Sequence, residues 1–281
     1  MTRWIAVVLA IVAALALFLT IQRGSFERSV AAEGAALRRG GAGTPQRTPL
    51  EELPPPVRRY LEVSGAARHA PVVAAHLRHA GTFRPGLDKP WLPIRGEQWF
   101  AADPPGFVWH GRVRAGPVLW IDARDRSVDG EGEMLITAAS AFTLQRARGP
   151  ALDQAALLRL LGELAWMPTA YLDRRYVRWE AVDATHARAT LAVRRRAATA
   201  TFEFGPDGLM TGMSGERERD VGRGRSVLTP FRGVSSDFRP VDGLLVPFRM
   251  EAIWIVDGKP FPYARFEVEQ LDFEPGAGRR R

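Results

Sequence analysis

Apolar and polar residues alternate one by one over most of the chain, and this period constrains the fold more than any other feature. In "GFVWHGRVR", Phe107, Trp109 and Val113 fall on one face, whereas His110 and Arg112 fall on the other. Strict alternation is typical of antiparallel strands with one face in water. Turn signals such as "PDG", "VDG" and "VDGK" separate the alternating runs. We therefore predict one large antiparallel sheet of about ten strands.

One segment breaks this period and has helical spacing instead. In "PALDQAALLRLLGELAW", the leucines of the Leu157–Leu164 range share one stripe, and Asp153 suits the N-cap. Arg159 and Glu163 are four residues apart on the opposite side, where they can pair. No second titratable group flanks Glu163, so we interpret it as a solvent-side partner of Arg159 rather than a catalytic acid. We predict a helical insertion near residues 151–172.

An uncharged run of eighteen residues, from Trp4 to Ile21, precedes the alternating region. As a helix it would reach roughly 27 Å, close to the thickness of a bilayer's hydrocarbon core. Signal peptides have shorter apolar cores and a small-residue cleavage site, which the following Gln22, Arg23 and Gly24 do not provide. The chain has no cysteine, which excludes a lipidated one. We predict an uncleaved transmembrane anchor, with a cleaved signal as the alternative.

Composition divides the chain into four parts. Residues 1–22 form the predicted anchor, and residues 23–49 form a juxtamembrane helix followed by a flexible linker rich in Ala, Gly and Arg. Residues 50–274 form the sheet domain, which opens with a short helix after a run of prolines. Residues 275–281 form a disordered basic tail.

The net charge of +8 does not indicate a nucleic-acid partner, because of where the charges lie. Residues 1–50 hold six arginines and two glutamates, and Arg279–Arg281 add three arginines. Residues 51–278 hold 30 basic and 29 acidic side chains and are nearly neutral. Nucleic-acid binders concentrate basic side chains on one face of the fold. The excess here lies beside the membrane and on the tail, where it can meet anionic lipid headgroups.

Candidates for catalytic or metal chemistry are few. His76 and His79 form an H-x-x-H pair, but residues three apart on a strand point to opposite faces. The acidic run "RDRSVDGEGEM", which contains Asp125, lacks the spacing of an EF-hand loop. Asp129-Gly130 fits a two-residue hairpin turn, with Glu131 and Glu133 as outward residues of the next strand; a cation site or a carboxylate pair is the alternative. We predict no catalytic residue, no metal and no cofactor.

Five motifs occur in order through residues 50–274: "LPPPVRRYLEVSG", "RGEQWFAADPPGFVWHG", "DRSVDGEGEM", "LGELAWMPTAYL" and "GLLVPFRMEAIWIVDGKPFPYARFEVEQLDF". Together they resemble a bacterial family catalogued only as a domain of unknown function, which has no assigned site residues. The last two strands are also similar to the end of the outer-membrane lipoprotein carriers. That resemblance implies a half-open β-barrel with a helix on its concave face, in a family that holds acyl chains. The predicted membrane anchor is a departure from those carriers.

Period and resemblance together predict an α+β fold: one strongly curved antiparallel sheet, a half-barrel, with one helical insertion and one N-terminal transmembrane helix. The expected function is non-enzymatic, namely a membrane-tethered module that binds a lipid, another hydrophobic ligand or a partner near the bilayer. The alternatives are an enzyme acting on a lipid or envelope substrate, with the acidic hairpin as its site, and a structural component of an envelope complex. The residues expected to share the inner face and line a ligand pocket are Phe107, Trp109, Leu191, Val193, Phe202, Phe204, Trp254, Phe266 and Val268.

Two indications of sidedness disagree. Arg23, Arg28, Arg38 and Arg39 follow the anchor, so the positive-inside rule keeps the body in the cytoplasm. The resemblance to envelope lipid carriers and the short N-terminus favour the opposite side. We predict an extracytoplasmic body in the bacterial envelope.

Overall fold

The computed structural model describes residues 2–39, 43–116, 119–222 and 224–275, and a single antiparallel sheet dominates it. The strands of its first half are β1 (Val72–Phe83), β2 (Leu92–Ala102), β3 (Pro105–Arg114), β4 (Trp120–Val128), β5 (Glu131–Ala138) and β6 (Phe142–Arg148). The strands of its second half are β7 (Val177–Ala181), β8 (His186–Val193), β9 (Arg196–Phe204), β10 (Met210–Gly222), β11 (Arg225–Val241), β12 (Leu244–Val256) and β13 (Lys259–Pro275).

The sheet is curled into a half-barrel, and its strands follow the order β6-β5-β4-β3-β2-β1-β13-β12-β11-β10-β9-β8-β7. Pairing of β1 with β13 joins the first strand to the last, so that β6 and β7 become the two edges. This confirms the predicted α+β fold with one curved antiparallel sheet. The described residues form thirteen strands rather than about ten, because several runs without clear alternation, such as β6, also pair.

Asp-Gly turns set the register of three hairpins. The aspartate and the glycine both have positive φ at Asp129-Gly130, Asp242-Gly243 and Asp257-Gly258. Two consecutive positive φ values match the right-handed twist of the flanking strands, and glycine accepts them without a Cβ clash. The predicted turns at these positions are confirmed.

The two ends of the half-barrel differ. The connections β1–β2, β3–β4, β5–β6 and β12–β13 lie at one end, and the β10–β11 hairpin joins them through a hydrogen bond from Gln145 to Asp220. We call this end the rim. The opposite end is closed by α2 (Pro55–Val63), whose Arg59 donates to the Pro206 carbonyl. The buried ring of Tyr60 packs there against Tyr171 and Phe204.

Helix α3 (Pro150–Glu163) joins β6 to β7 and lies in the concave face, in contact with strands of both halves. Its stripe from Leu157 to Leu164 is fully buried, as expected. The predicted N-cap is wrong, because the helix begins at Pro150 after Gly149. Asp153 is instead buried within the first turn, where it accepts from the Gly132 amide and pairs with Arg196.

Helix α1 (Thr2–Arg39) is continuous through the apolar run and beyond it. The side chains of the apolar run are exposed, and the helix is long and apolar enough to cross a membrane, a test that a signal sequence also passes. Its second half packs on the convex face of β2 and β3, where Val30 contacts the buried Trp99 and Val108.

The segment between α1 and the body, predicted as a flexible linker, is described from residue 43 onward. Arg47 forms an isolated bridge with Asp173, and the Thr48 amide donates to the Leu172 carbonyl. The Arg47 guanidinium also donates to the carbonyls of Ala66, Ala67 and His69. Residues 43–49 therefore lie against the sheet domain. The predicted basic tail lies outside the described residues, apart from Pro275 at the end of β13.

Candidate functional site

A cavity of about 260 Å³ lies between α3 and the concave face of the sheet. It reaches the rim, because Phe83, Ile94, Val113 and Ile121 line it within three residues of their strand ends. Most of its wall is apolar, and further apolar lining residues are Ala123, Met134, Ile136, Trp166, Met210, Met213, Phe231, Met250, Ala252 and Ala264. Arg217, Ser235, Glu251 and Tyr263 also line it. Inward residues alternate with outward ones along each strand, which is why the wall draws on so many strands.

The predicted inner-face residues all belong to one hydrophobic core. Three of them, Trp109, Phe202 and Phe266, line the cavity itself. The other six pack around it, and these are Phe107, Leu191, Val193, Phe204, Trp254 and Val268. Their role in ligand binding stays a prediction.

A buried ion-pair network centred on Arg159 forms one polar part of the cavity wall. The Arg159 guanidinium donates from Nε to Glu163 Oε1 and from Nη1 to Asp125 Oδ2, both at 2.7 Å. Its Nη2 donates to Gln98 Oε1 at 3.1 Å. Gln98 in turn donates from Nε2 to Glu163 Oε2 at 2.7 Å. Four side chains from β2, β4 and α3 are thus locked in one arrangement.

The electrostatics of this network favour its charged form. Burial alone would lower the pKa of Arg159, but the carboxylates of Glu163 and Asp125 outweigh it and raise that pKa. The guanidinium also lies 4.7 Å from the ring centroid of Phe107 and 4.9 Å from that of Trp109. Cations are attracted to aromatic faces, most strongly where water is absent. Arg159 is therefore held as a cation.

One acceptor of the network is free among the described residues. Asp125 is 2% exposed and lines the cavity, yet its Oδ1 has no hydrogen-bond partner. Two carboxylates share one guanidinium, so the network carries a net negative charge. Leaving a buried acceptor unpaired costs about 1–3 kcal/mol. Asp125 Oδ1 is suited to accept a hydrogen bond from a polar group inside the cavity.

The prediction that Glu163 faces solvent is wrong, although its predicted pairing with Arg159 is confirmed. Both side chains point into the half-barrel and are largely buried. The physical reason is that the concave sheet surrounds α3, so even its polar stripe is enclosed. Spacing along a helix identifies a polar stripe but not what covers it.

His79 lies beside the network on β1 and is buried. The indole of Trp109 donates to His79 Nε2 at 2.9 Å, so this nitrogen carries no proton. Burial, together with the nearby Arg159 charge, lowers the pKa of His79 to about 3. The imidazole is therefore neutral at physiological pH. His76 lies on the convex face, stacked on Trp99, so the two histidines occupy opposite faces as predicted.

The acidic hairpin does not gather its carboxylates. Asp125 faces the cavity, whereas Glu133 is buried on the convex face. Burial opposes the ionised form there, but hydrogen bonds from Arg124 and Arg148 lower the pKa of Glu133 to about 2. Within the described ranges, no group of three or more His, Asp or Glu side chains could hold a metal ion.

The strand sequences contained a signal for the buried network, namely polar residues in phase with inward apolar ones, which the spacing within α3 alone did not reveal. Gln98 has the same parity on β2 as the inward Ile94 and Phe100, and His79 has the same parity on β1 as Leu77. Asp125 likewise shares its parity on β4 with Ile121 and Ala123. Polar residues in phase with an inward apolar set mark a buried polar site.

The fold and the cavity define the class: an α+β half-barrel with an apolar cavity covered by a helix. Within it, the chain belongs to a family of unknown function, DUF6544, which matches residues 43–266. The family expected from the motifs is thereby confirmed. No curated protein matches the sequence.

Two solved structures are similar to this chain at a low level. A DUF1329 family protein from Desulfovibrio piger gives a TM-score of 0.43 at 11% identity, covering 81% of this chain and 95% of that one. A LolA superfamily protein from Nitrosomonas europaea gives a TM-score of 0.34 at 10% identity, covering 78% and 93%. Similarity this low transfers no function.

Proposed function

We propose that this protein is a membrane-tethered, non-enzymatic module that binds a lipid or another hydrophobic ligand in the cavity under α3. The observation that carries this proposal is the largely apolar cavity of about 260 Å³ between α3 and the concave face of the sheet. Protein interiors rarely leave such space empty, because lost packing contacts are costly. A purely structural component would gain stability by filling it.

The size of the cavity limits the ligand. At about 260 Å³ it is larger than an engineered apolar cavity of roughly 150 Å³ that binds benzene, and it lies just below the usual range for ligand pockets. It therefore suits one acyl chain or one small hydrophobe. Each square ångström of apolar surface that enters contributes about 25 cal/mol.

Asp125 adds a polar requirement to this apolar site. Its free Oδ1 favours a ligand that carries a hydrogen-bond donor, such as a hydroxyl or an amide. Asp125 and Glu163 are both hydrogen-bonded to Arg159, which favours a fixed binding wall over an acid–base pair. This weighs against the alternative of an enzyme.

The packing of α1 supports an uncleaved anchor. Cleavage near residue 32 would remove Val30 and Glu27 from the convex face. It would expose Trp99 and break the ion pair of Arg112 with Glu27, whose nitrogen and oxygen lie 2.6 Å apart.

We place the body outside the cytoplasm, on the ground of the resemblance to envelope carriers. Alkaline phosphatase fused after residue 274 is expected to be active. An inactive phosphatase fusion, together with a fluorescent GFP fusion at the same position, would contradict this location of the body.

Photo-crosslinking tests the ligand proposal in the full-length protein. In nanodiscs that contain a phospholipid with a diazirine on its acyl chain, we expect crosslinks on cavity residues such as Met213 and Met250. Crosslinks on α1 serve as the internal control. Ala252→Phe, which fills the cavity, should remove the cavity crosslinks and preserve those on α1 without lowering Tm. The exposed Ala192→Phe is the matched control and should leave both sets unchanged.

If crosslinks occur only on α1 in the wild-type protein, the cavity does not take up an acyl chain. Equal cavity labelling in wild type and Ala252→Phe would also contradict the proposal.

A further inference from the structure

The rim of the half-barrel carries most of the large hydrophobic side chains that are exposed outside α1 in the described part of the chain. Among the described residues outside α1, nine large hydrophobic side chains are exposed, and seven of them lie at the rim. These seven are Leu87, Leu119, Phe142, Leu144, Val221, Val227 and Leu228. Single exposed apolar residues are ordinary, but a cluster at one end marks a surface that binds something apolar.

The docking of α1 fixes where this rim lies relative to the apolar run. Leu37 lies over Gly106 at the end of β3 remote from the rim, and Phe26 packs on His110 further along the same strand. Glu27 pairs with Arg112, one step nearer the rim. Helix α1, followed toward its N-terminus, therefore runs toward the rim and carries the apolar run past it.

The length of β3 beyond His110 can be compared with the length of α1 before Phe26. Four strand residues, or about 13 Å, separate His110 from Arg114, the last residue of β3. A helix needs about nine residues to span the same length, so counting back from Phe26 leads to about residue 17, inside the apolar run. The rim thus lies level with the part of α1 that would enter the hydrocarbon core.

The polar side chains near the rim suit a membrane interface. Arg23, Arg28, Arg95 and Arg114 line an open groove between α1 and the convex face, together with Trp120 and the three glutamates Glu27, Glu97 and Glu269. Arg23 pairs with Glu27 and Arg95 with Glu269, whereas Arg28 and Arg114 lie beside them in the groove. Arginine next to a membrane span attracts anionic headgroups, and tryptophan favours the interfacial layer.

We propose that the rim is inserted into the surface of the bilayer that α1 crosses, so that the cavity opens directly toward the lipid. This rests on the proposed function, because it takes α1 as a membrane anchor. The cavity lining reaches the rim at Phe83 and Val113. A hydrophobic ligand can then pass between the bilayer and the cavity without crossing water.

The absence of cysteine allows single labelled positions to test the rim. Leu87→Cys and Leu228→Cys place an environment-sensitive fluorophore at the rim, and Asp207→Cys places it in the exposed β9–β10 turn at the opposite end. In nanodiscs with nitroxide-labelled phospholipid, the two rim labels should lose most of their emission, and the label at position 207 should keep it. Water-soluble iodide should quench in the reverse order.

Two outcomes would overturn the inference. One is rim labels that iodide quenches as strongly as the label at position 207. The other is rim labels shielded from both iodide and nitroxide lipid, which would mean that a protein, such as a second copy of this chain, covers the rim. Quenching by lipid at the rim without acyl crosslinks in the cavity would leave the rim inference intact and defeat the ligand proposal instead.

Discussion

At the residue scale, Arg159 matters because it is the shared ion-pair partner of two buried carboxylates, Asp125 and Glu163. Arg159→Met leaves Asp125 and Glu163 without a counter-charge in an apolar setting, and removal of one partner from a buried pair costs about 3–5 kcal/mol. We expect that loss in the free energy of unfolding, measured by denaturant titration. Arg194→Met, in an exposed pair with Asp129, should change it by less than about 1 kcal/mol.

A rescue separates this effect from simple loss of packing. Adding Asp125→Asn and Glu163→Gln to Arg159→Met removes the uncompensated charges and should restore part of the stability. If the triple variant is as unstable as Arg159→Met, or if Arg159→Met is no worse than Arg194→Met, the network does not work as described.

His79 makes the stability depend on pH. Its pKa is about 3 in the folded state, against roughly 6.5 in the unfolded chain. Between these values the unfolded chain binds a proton that the folded one does not. The contribution of neutral His79 is therefore complete above pH 6.5 and is lost as the pH falls. Going from about pH 7.5 to about pH 4.5 should cost the wild type about 2–3 kcal/mol more than it costs His79→Gln.

The comparison of the two pH profiles is the relevant measurement, because other groups titrate equally in both proteins. Parallel profiles over this range would show that His79 is not held neutral. A steeper profile in His79→Gln would contradict the predicted sign.

At the scale of elements, the close contact between α1 and β2 depends on one glycine. A Cβ on Gly34 would lie 2.4 Å from Cδ2 of Trp99. Gly34→Leu should therefore displace the second half of α1 from the sheet. An undocked helix of this length is marginal in water, so residues 24–39 should exchange their amide hydrogens faster. Ala32→Leu, at an exposed position of the same helix, should leave exchange unchanged.

Unchanged exchange in Gly34→Leu would mean that α1 does not depend on this contact. Full-length protein is required for both variants, because the second half of α1 covers part of the sheet.

The curved antiparallel sheet and its Asp-Gly turns could be predicted from the sequence because a period of two and Asp-Gly turns are local signals. The burial of Arg159 and Glu163 could not, because it depends on the curvature of a sheet whose strands come from both sides of α3 in the chain. The same limit explains Asp153, which suits a cap by type but contacts Gly132 and Arg196 across the fold. Local spacing assigns stripes, and long-range pairing decides what encloses them.

At the scale of the whole molecule, three features have one orientation in common. The closed end is filled by α2, the cavity extends to the rim, and α1 carries its apolar run past that rim. We propose that a module built in this way holds a hydrophobic ligand at the membrane surface.

The most direct test of the proposed ligand binding is to identify the small molecules that co-purify with the protein. Full-length wild type and Ala252→Phe are purified in parallel from their own membranes, extracted with organic solvent and analysed by mass spectrometry. We expect a hydrophobic molecule with a hydrogen-bond donor to be enriched in the wild-type extract, near one per chain, and depleted in Ala252→Phe. Identical extracts from the two proteins, at equal Tm, would contradict a ligand-binding cavity.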